Sequence, residues 1–184
     1  MWNSQVIIML LEGIRDTLYM TLASTLFGYI IGLPMGIVLT VTDKDGIRPN
    51  AAVYKVLDVI SNLLRSIPFI ILLIVLIPFT RFVVGRSYGS TATIVPLTIA
   101  AAPYIARMVE SSLKEVDAGV IEAARSMGAS DFQIVTKVML VEARTSLIVG
   151  ATISLGTILG YSAMAGTVGG GGLGDIAIRY GYTR

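Results

Sequence analysis

A long uncharged stretch near the start of the chain determines the solvent in which it folds. No Asp, Glu, Lys or Arg occurs between Asp16 and Asp43, and most of residues 17–41 are apolar. About 20 helical residues cross the hydrocarbon core of a bilayer, which is about 30 Å thick. Charged residues make up only 14% of the chain, against about 25% in ordinary soluble domains. Residues 17–41 are therefore predicted to form a membrane-spanning helix.

Three further windows are predominantly apolar and are predicted to span the membrane: 57–80, 87–106 and 146–164. The expected fold class is an all-α integral membrane protein, a polytopic helical bundle with four spans in a single domain, residues 1–184. Residues 1–16 are interpreted as an amphipathic interfacial lead-in, with Trp2 near the lipid headgroups. A plain extension of the first span is the alternative.

The basic residues predict the orientation. With Arg65 counted in the connection that precedes it, the connections before, between and after the spans hold one, four, two, five and two Lys or Arg residues in chain order. Since cytoplasmic connections carry the excess of Lys and Arg, the N-terminus is expected outside. Residues 107–144 then form a cytoplasmic loop, and the glycine-rich residues 165–184 lie outside.

Glycine spacing indicates close helix packing. Gly28, Gly32 and Gly36 repeat every fourth residue in the first predicted span, and Gly156 and Gly160 do so in the last. Small residues at this spacing let two helices approach closely, either within the chain or between subunits. Both arrangements are compatible with the sequence.

The residues that are absent exclude several kinds of chemistry. The chain has no Cys and no His, which excludes disulfides, the usual zinc sites and a Ser-His-Asp triad, and no metal site is predicted. Its 14 Lys and Arg are scattered, so no nucleic-acid-binding surface is expected. The centres of the predicted spans hold no acidic or basic residue for a coupling ion, and no GxxxxGK[ST] phosphate-binding loop occurs. A non-catalytic protein is predicted, whose energy must come from a partner.

The predicted cytoplasmic loop contains a helix, a sharp turn and a second helix. Asp117 is predicted to cap the first helix, and Gly128 suits the left-handed residue just past its end. Ser130 and Gln133 form a capping box that starts the second helix. The apolar residues of the first helix fall on one face: Val120, Ile121, Ala124 and Met127. A short exposed helix with an apolar face is suited to docking in a groove on another protein.

The stretch EAARSMGASDFQIVTKVML, residues 122–140, resembles the EAA loop of the membrane-spanning permease subunits of bacterial ABC importers. Val141 stands where that family has Pro, which removes a residue that bends the helix. Glu122 is expected to anchor the loop through charge-assisted hydrogen bonds, to Arg125 or to backbone amides at the turn. The resemblance assigns coupling to an ATPase to these residues: Val120, Ile121, Glu122, Ala123, Ala124, Met127, Gly128 and Ala129.

Residues 159–182 and 62–81 resemble the methionine-uptake family of these permeases, so the resemblance covers essentially the whole chain. It implies the type I ABC importer permease fold, with the family's fifth span not found in this sequence. It also implies a homodimer in the bacterial inner membrane that imports L- and D-methionine by alternating access. The expected partners are a cytoplasmic ABC ATPase dimer, which binds ATP and Mg, and an external substrate-binding protein. Another small amino acid or organic solute is the alternative substrate, and a passive channel or scaffold subunit is a further alternative.

The resemblance also points to a gate near the outer end of the last predicted span. Met164, with Tyr161 and Ser162 nearby, is expected to line the translocation pathway, and a flexible thioether suits a reversible plug. Core packing between spans is the other interpretation of Met164. The glycine cluster 169–172 is interpreted as an external loop or re-entrant turn, with a flexible linker as the alternative.

Overall fold

The computed structural model describes residues 4–182, and every regular element in that range is helical, as predicted. The longer helices are α1 (Ser4–Thr42), α2 (Ala51–Ser66), α5 (Ser90–Lys114) and α9 (Arg144–Ala165). The shorter helices are α3 (Phe69–Val75), α4 (Ile77–Val84), α6 (Ala118–Ser126), α7 (Asp131–Gln133), α8 (Leu140–Glu142) and α10 (Gly172–Ala177). Ile134–Met139 and Ile178–Tyr182 are π-helical, and Gly166–Val168 is a 3₁₀ turn.

Three of the described helices are long and apolar enough to cross a membrane: α1, α5 and α9 with its 3₁₀ extension to Val168. Helices α2 and α3 pass the same test together but are joined by a sharp bend, as in a broken span or a re-entrant loop. The bend falls at Pro68, which has no backbone N–H and disfavours helical backbone at the residue before it. The predicted span 57–80 is therefore divided among α2, α3 and α4.

The first helix is longer than the predicted first span. It runs without a break from Ser4 to Thr42, which is 39 residues and about 58 Å at the usual helical rise. The predicted lead-in, 1–16, and the predicted span, 17–41, are thus one helix over the residues described. Trp2 lies outside the described residues. A membrane-surface position for the first turns of α1 stays a prediction.

The chain divides into two compact units. The first comprises Met1–Gly28, Ser66–Ala101 and Leu155–Arg184, and the second comprises Tyr29–Arg65 and Ala102–Ser154. Helices α1, α5 and α9 each contribute residues to both units. The coupling segment predicted from the sequence belongs to the second unit, and the predicted gate residues belong to the first.

In the second unit, glycines of α1 allow close packing on α5. A Cβ placed on Gly32 would lie 2.6 Å from the carbonyl oxygen of Ala102, and Gly36 repeats this contact one turn later. Backbones approach this closely only where no side chain separates them. Packing within the chain is therefore confirmed for these two glycines. At Gly156 and Gly160, by contrast, no described atom outside the helix's own backbone lies within 4 Å of a Cβ position.

In the first unit, the glycine-rich segment is a packed helical turn. The 3₁₀ turn after α9 leads into α10, whose Leu173 N–H donates to the hydroxyl of Thr17 at 2.9 Å. Gly174 lies directly against the carbonyl group of Ala163, where a Cβ would overlap it. The segment is therefore ordered by contacts with α1 and α9, which differs from the flexible linker that was the alternative.

Candidate coupling segment and gate

The first helix of the predicted coupling segment is capped at both ends. The carboxylate of Asp117 accepts a hydrogen bond from Gly119 N–H at 2.7 Å, which satisfies one of the free donors at the start of α6. At the other end Gly128 has a φ of +83°. Ala129 N–H donates to the carbonyl oxygen of Ala124 at 3.1 Å, and Gly128 N–H donates to that of Arg125 at 2.9 Å. These two bonds form a Schellman motif, so the predicted cap and the predicted glycine turn are both confirmed.

The second helix begins with the predicted capping box. Ser130 N–H donates to Gln133 Oε1 at 2.9 Å, and Gln133 N–H donates to Ser130 Oγ at 3.4 Å. The chain then continues as a π-helical stretch with Ile134, Val135 and Met139 buried. Because this capping is reciprocal, the direction in which the second helix leaves the turn is set by hydrogen bonds within the segment.

The apolar residues of α6 do not share one environment. Ala124 is buried and Ile121 is half-buried, whereas the side chains of Val120 and Met127 are 40% and 83% exposed. Beyond the turn, Phe132 is 77% exposed. A large exposed apolar side chain on each side of one turn indicates a surface for a partner. Phe132 was not among the residues predicted from the sequence, although its position just inside a capped helix start is a signal by which an aromatic surface residue could have been found.

The two charged residues of α6 have different surroundings. Arg125 donates from Nη2 to the carbonyl oxygen of Ile47 at 3.0 Å and lies 3.9 Å from a carboxylate oxygen of Asp131. The side chain of Glu122 makes no hydrogen bond or ion pair with any residue between 4 and 182, so the expected bonds to Arg125 or to backbone amides at the turn are not formed. Instead Glu122 lines a cavity of about 430 Å³ together with Thr40, Asp43, Lys114, Ile121 and Arg125.

An ion pair lies beside this cavity. The ammonium group of Lys114 donates to a carboxylate oxygen of Asp43 at 2.7 Å, and Lys44 N–H donates to the other oxygen at 2.7 Å. The hydrogen bond from Lys114 is the main cause that lowers the pKa of Asp43 below its ordinary value. Asp43 is therefore ionised at neutral pH and neutralises one basic group at the end of α5.

The predicted gate residues lie near the end of α9 in three different environments. The ring of Tyr161 stacks on Phe69, with ring centroids 4.8 Å apart and an interplanar angle of 7°. Ser162 is buried, and its hydroxyl donates to the carbonyl oxygen of Leu159 at 2.7 Å. Met164 is 46% exposed. The stacked partner Phe69 was missed from the sequence because it follows the bend at Pro68 in a segment interpreted as a single span.

No metal centre accompanies these features. Residues 4–182 contain no group of three or more His, Cys, Asp or Glu side chains placed to hold a metal ion.

The fold matches solved structures of a transporter. The described helices superpose on a chain of the MetNI methionine ABC transporter in inward-facing conformations, CY5 SeMet soak crystal form, with a TM-score of 0.96 and 53% identity over 98% of this chain and 84% of that one. An amino acid ABC transporter crystallised with histidines shares the fold, with a TM-score of 0.75 at 22% identity. The class is thus a membrane-spanning permease with the fold of type I ABC importers.

Sequence relatives define the family. The model of the family described as binding-protein-dependent transport system inner membrane component matches residues 13–183. The probable D-methionine transport system permease protein MetI of Vibrio cholerae is 48% identical over 96% of this chain and 78% of its own length. The D-methionine transport system permease protein MetI of Escherichia coli K12 is 55% identical over 86% and 73%. The chain belongs to this inner-membrane family, among its methionine ABC permease subunits.

Proposed function

We propose that this protein is the membrane-spanning subunit of an ATP-driven importer that moves L- and D-methionine into the cytoplasm. The observation that carries the proposal is the match to the methionine ABC transporter over 98% of the chain at 53% identity. The names of the relatives from Vibrio cholerae and Escherichia coli support the same substrate. We place the N-terminus outside, with two copies of the chain forming the pathway.

The energy enters through the coupling segment, residues 117–133. A cytoplasmic ATPase dimer binds ATP and Mg, and each ATPase receives one α6 in a groove. The exposed side chains of Met127 and Phe132 supply the apolar surface for that groove. Two hydrogen-bonded caps make the segment stiff, so a displacement of α6 is passed on rather than absorbed by bending.

Arg125 links this segment to the rest of its unit. Its hydrogen bond to the carbonyl oxygen of Ile47 ties α6 to the connection between α1 and α2. Glu122 faces the adjoining cavity and is free to bind a basic group of the ATPase. Val120, Ile121, Ala123, Ala124, Gly128 and Ala129 shape the helix and turn that hold these side chains.

Alternating access provides the transport step. ATP binding closes the ATPase dimer and opens the pathway outward, where an external binding protein delivers the amino acid, and hydrolysis restores the inward-facing state. Met164 closes the gate with its flexible thioether, and Tyr161, held by stacking on Phe69, flanks it. Ser162 supports the helix at this point through its bond to Leu159.

Reconstitution with the ATPase and the binding protein tests the function. We expect ATP-dependent uptake of labelled L-methionine and D-methionine into liposomes, and we expect it to require all three components. ATP hydrolysis without methionine uptake would leave an importer of another small amino acid or organic solute. Uptake that needs no ATP would indicate a passive channel instead.

A proline pair tests the coupling segment. Proline at position 128 cannot keep a φ of +83°, and Gly128→Pro also removes the N–H that donates to the carbonyl oxygen of Arg125. We therefore expect this variant to insert normally into the membrane but not to associate with the ATPase. Ala118→Pro is the matched control, because position 118 is the first residue of α6, where proline is tolerated. Normal association and uptake in Gly128→Pro would contradict the coupling assignment.

Accessibility of the gate tests the pathway. The chain has no Cys, so Tyr161→Cys and Met164→Cys can be labelled without background. We expect the rate of labelling to change when nucleotide binds the assembled transporter. Equal rates in all nucleotide states would favour a scaffold subunit that binds the ATPase without forming the pathway.

A further inference from the structure

A network of charged groups lies in the second unit, outside the coupling segment. It joins the end of α1, the helix α2 and the last two turns of α5. Its members are Asp43, Tyr54, Asp58, Arg107, Glu110 and Lys114. We call it the Glu110 network, because one carboxylate connects the rest.

Glu110 is buried, with 4% of its surface exposed, and both of its carboxylate oxygens are occupied. Oε2 accepts from Arg107 Nη1 at 2.7 Å. Oε1 accepts from Lys114 Nζ at 2.8 Å and from the hydroxyl of Tyr54 at 3.2 Å. A buried carboxylate is stable only when it is paired and hydrogen-bonded in this way. Glu110 therefore holds the two cations of α5 in fixed positions.

Each of the two cations also binds outside α5. Arg107 Nη2 pairs with the carboxylate of Asp58 and donates to Asn62 Oδ1 at 3.2 Å, and both of these residues belong to α2. Lys114 Nζ binds Asp43, which follows α1, at 2.7 Å. The end of α5 is thus tied to α2 through one cation and to the end of α1 through the other.

The position of the network favours a role in transport over a role in stability alone. Arg107 and Glu110 lie on α5, a helix apolar enough to cross a membrane, where ionisable groups usually serve function. Replacing a buried ion pair by apolar residues often leaves stability unchanged or raises it, so stability by itself does not explain the charges. Only two residues separate Lys114 from Asp117, the cap of α6.

We propose that Glu110 is a positioning residue for energy coupling. It holds Arg107 and Lys114 so that α5, α2 and the end of α1 respond together when α6 is displaced. A buried carboxylate shared by two cations resists partial sliding, because losing one partner leaves an uncompensated charge. This inference rests on the proposed coupling function of residues 117–133.

The first test compares transport with hydrolysis. In the transporter assembled with its ATPase and binding protein, Glu110→Gln keeps the shape of the side chain but removes its charge. We expect the methionine imported per ATP hydrolysed to fall about tenfold, with ATP hydrolysis by the partner retained. Glu110→Asp should restore part of the ratio. Asp45→Asn is the control, because among residues 4–182 Asp45 pairs only with Lys44, on the surface, where the side chains of Asp45 and Lys44 are 81% and 85% exposed.

A second pair of variants guards against a folding defect in Glu110→Gln. Lys114→Arg keeps the cation and should keep the ratio of methionine to ATP, whereas Lys114→Met should lower it. Equal ratios in Lys114→Met, Glu110→Gln and the unsubstituted protein would overturn the inference and leave the network a stabilising contact only.

A third measurement needs no methionine. Lys55→Cys on α2 carries a spin label in a chain that otherwise lacks Cys, and the distance between the labels of two copies is followed as nucleotide binds. We expect Glu110→Gln to shrink the nucleotide-dependent change seen with Lys55→Cys alone. An undiminished change would overturn the inference. No nucleotide response in Lys55→Cys alone would overturn the proposed function itself, and the inference with it.

Discussion

The chain uses glycine at two turns for different reasons. At the coupling turn of the second unit, Gly128 has a φ of +83°, and no described atom beyond Met127, Gly128 and Ala129 lies within 4 Å of a Cβ placed there. At the glycine-rich turn of the first unit, Gly166 and Gly174 have no positive φ, but a Cβ on either would overlap neighbouring backbone. The coupling turn needs glycine for its conformation alone, whereas the glycine-rich turn needs it for conformation at Gly169, Gly171 and Gly172 and for space at Gly166 and Gly174.

This difference separates a turn that holds its own shape from one that is shaped by its surroundings. The coupling turn is closed by hydrogen bonds between residues close in sequence and leaves large apolar side chains exposed. The glycine-rich turn is held by contacts with α1 and α9. Under the proposed function the coupling turn docks on a partner and must keep its shape on a surface, whereas the glycine-rich turn follows the proposed gate residues and gains precision from close packing.

The largest effect is expected at the packed turn. Gly174→Ala places a methyl group against the carbonyl group of Ala163, and overpacking of this kind costs about 3 kcal/mol. We expect a clear drop in the apparent melting temperature in detergent. Gly150→Ala is the control, since its nearest neighbour, Met108, lies at an ordinary 3.6 Å and alanine suits a helix interior.

A smaller effect is expected at the coupling turn. Gly128→Ala forces a left-handed conformation on a side chain and should destabilise the protein by about 1–2 kcal/mol. Gly128→Asn should cost less, because Asn tolerates this conformation better. Thermal melting of both variants measures the difference. If Gly128→Ala lowered the stability as much as Gly174→Ala does, the distinction between the two turns would be contradicted.

The capping box is expected to contribute less to stability than Gly128 does. Ser130→Ala removes the acceptor for Gln133 N–H and should cost about 1 kcal/mol, with weaker association with the ATPase as the second helix loses its fixed start. Ser126→Ala, on the exposed last turn of α6, should change stability by less than about 0.5 kcal/mol. Both are measured by melting and by co-purification with the ATPase. Equal behaviour of the two variants would argue against a structural role for the box.

The smallest expected effect is a pH dependence of the stability that Asp43 contributes in the second unit. The hydrogen bond from Lys114 lowers the pKa of Asp43 in the folded state below its ordinary 3.8. The pair therefore stabilises the fold above that pH, and the contribution is lost as pH falls through the folded pKa. We expect the difference in melting temperature between the unsubstituted protein and Asp43→Asn to narrow as pH is lowered below 3.8. A difference that stays constant over that range would contradict this assignment.

Sequence reasoning succeeded where the structure depends on neighbours along the chain. The cap at Asp117, the left-handed Gly128 and the box formed by Ser130 and Gln133 all follow from contacts across two to five residues. The end of α9 at Ala165 lies next to its predicted end at 164 for the same reason. Capping depends on side-chain chemistry and backbone sterics among neighbouring residues, so it can be predicted without knowledge of the fold.

Features that depend on contacts between distant segments of the chain were not predicted correctly. Helix α5 extends to Lys114, beyond the predicted end of the span at 106, so Glu110 was interpreted as a loop residue rather than as a buried group. The stacking of Phe69 on Tyr161 joins residues 92 positions apart, and no local pattern indicates it. The loss of helix at Pro68 was available from the sequence but was outweighed by the length of the apolar window.

By itself the sequence determined that this chain is helical, lies in a membrane and carries a capped turn in its longest predicted cytoplasmic loop. These properties follow from hydropathy, from charge and from local capping, which depend on the residues and their neighbours in sequence and not on tertiary contacts. Only the tertiary structure decided which glycines serve close packing, which carboxylate is buried among cations and which aromatic ring holds Tyr161. Those properties depend on burial and on contacts between distant segments, which exist only once the helices have packed.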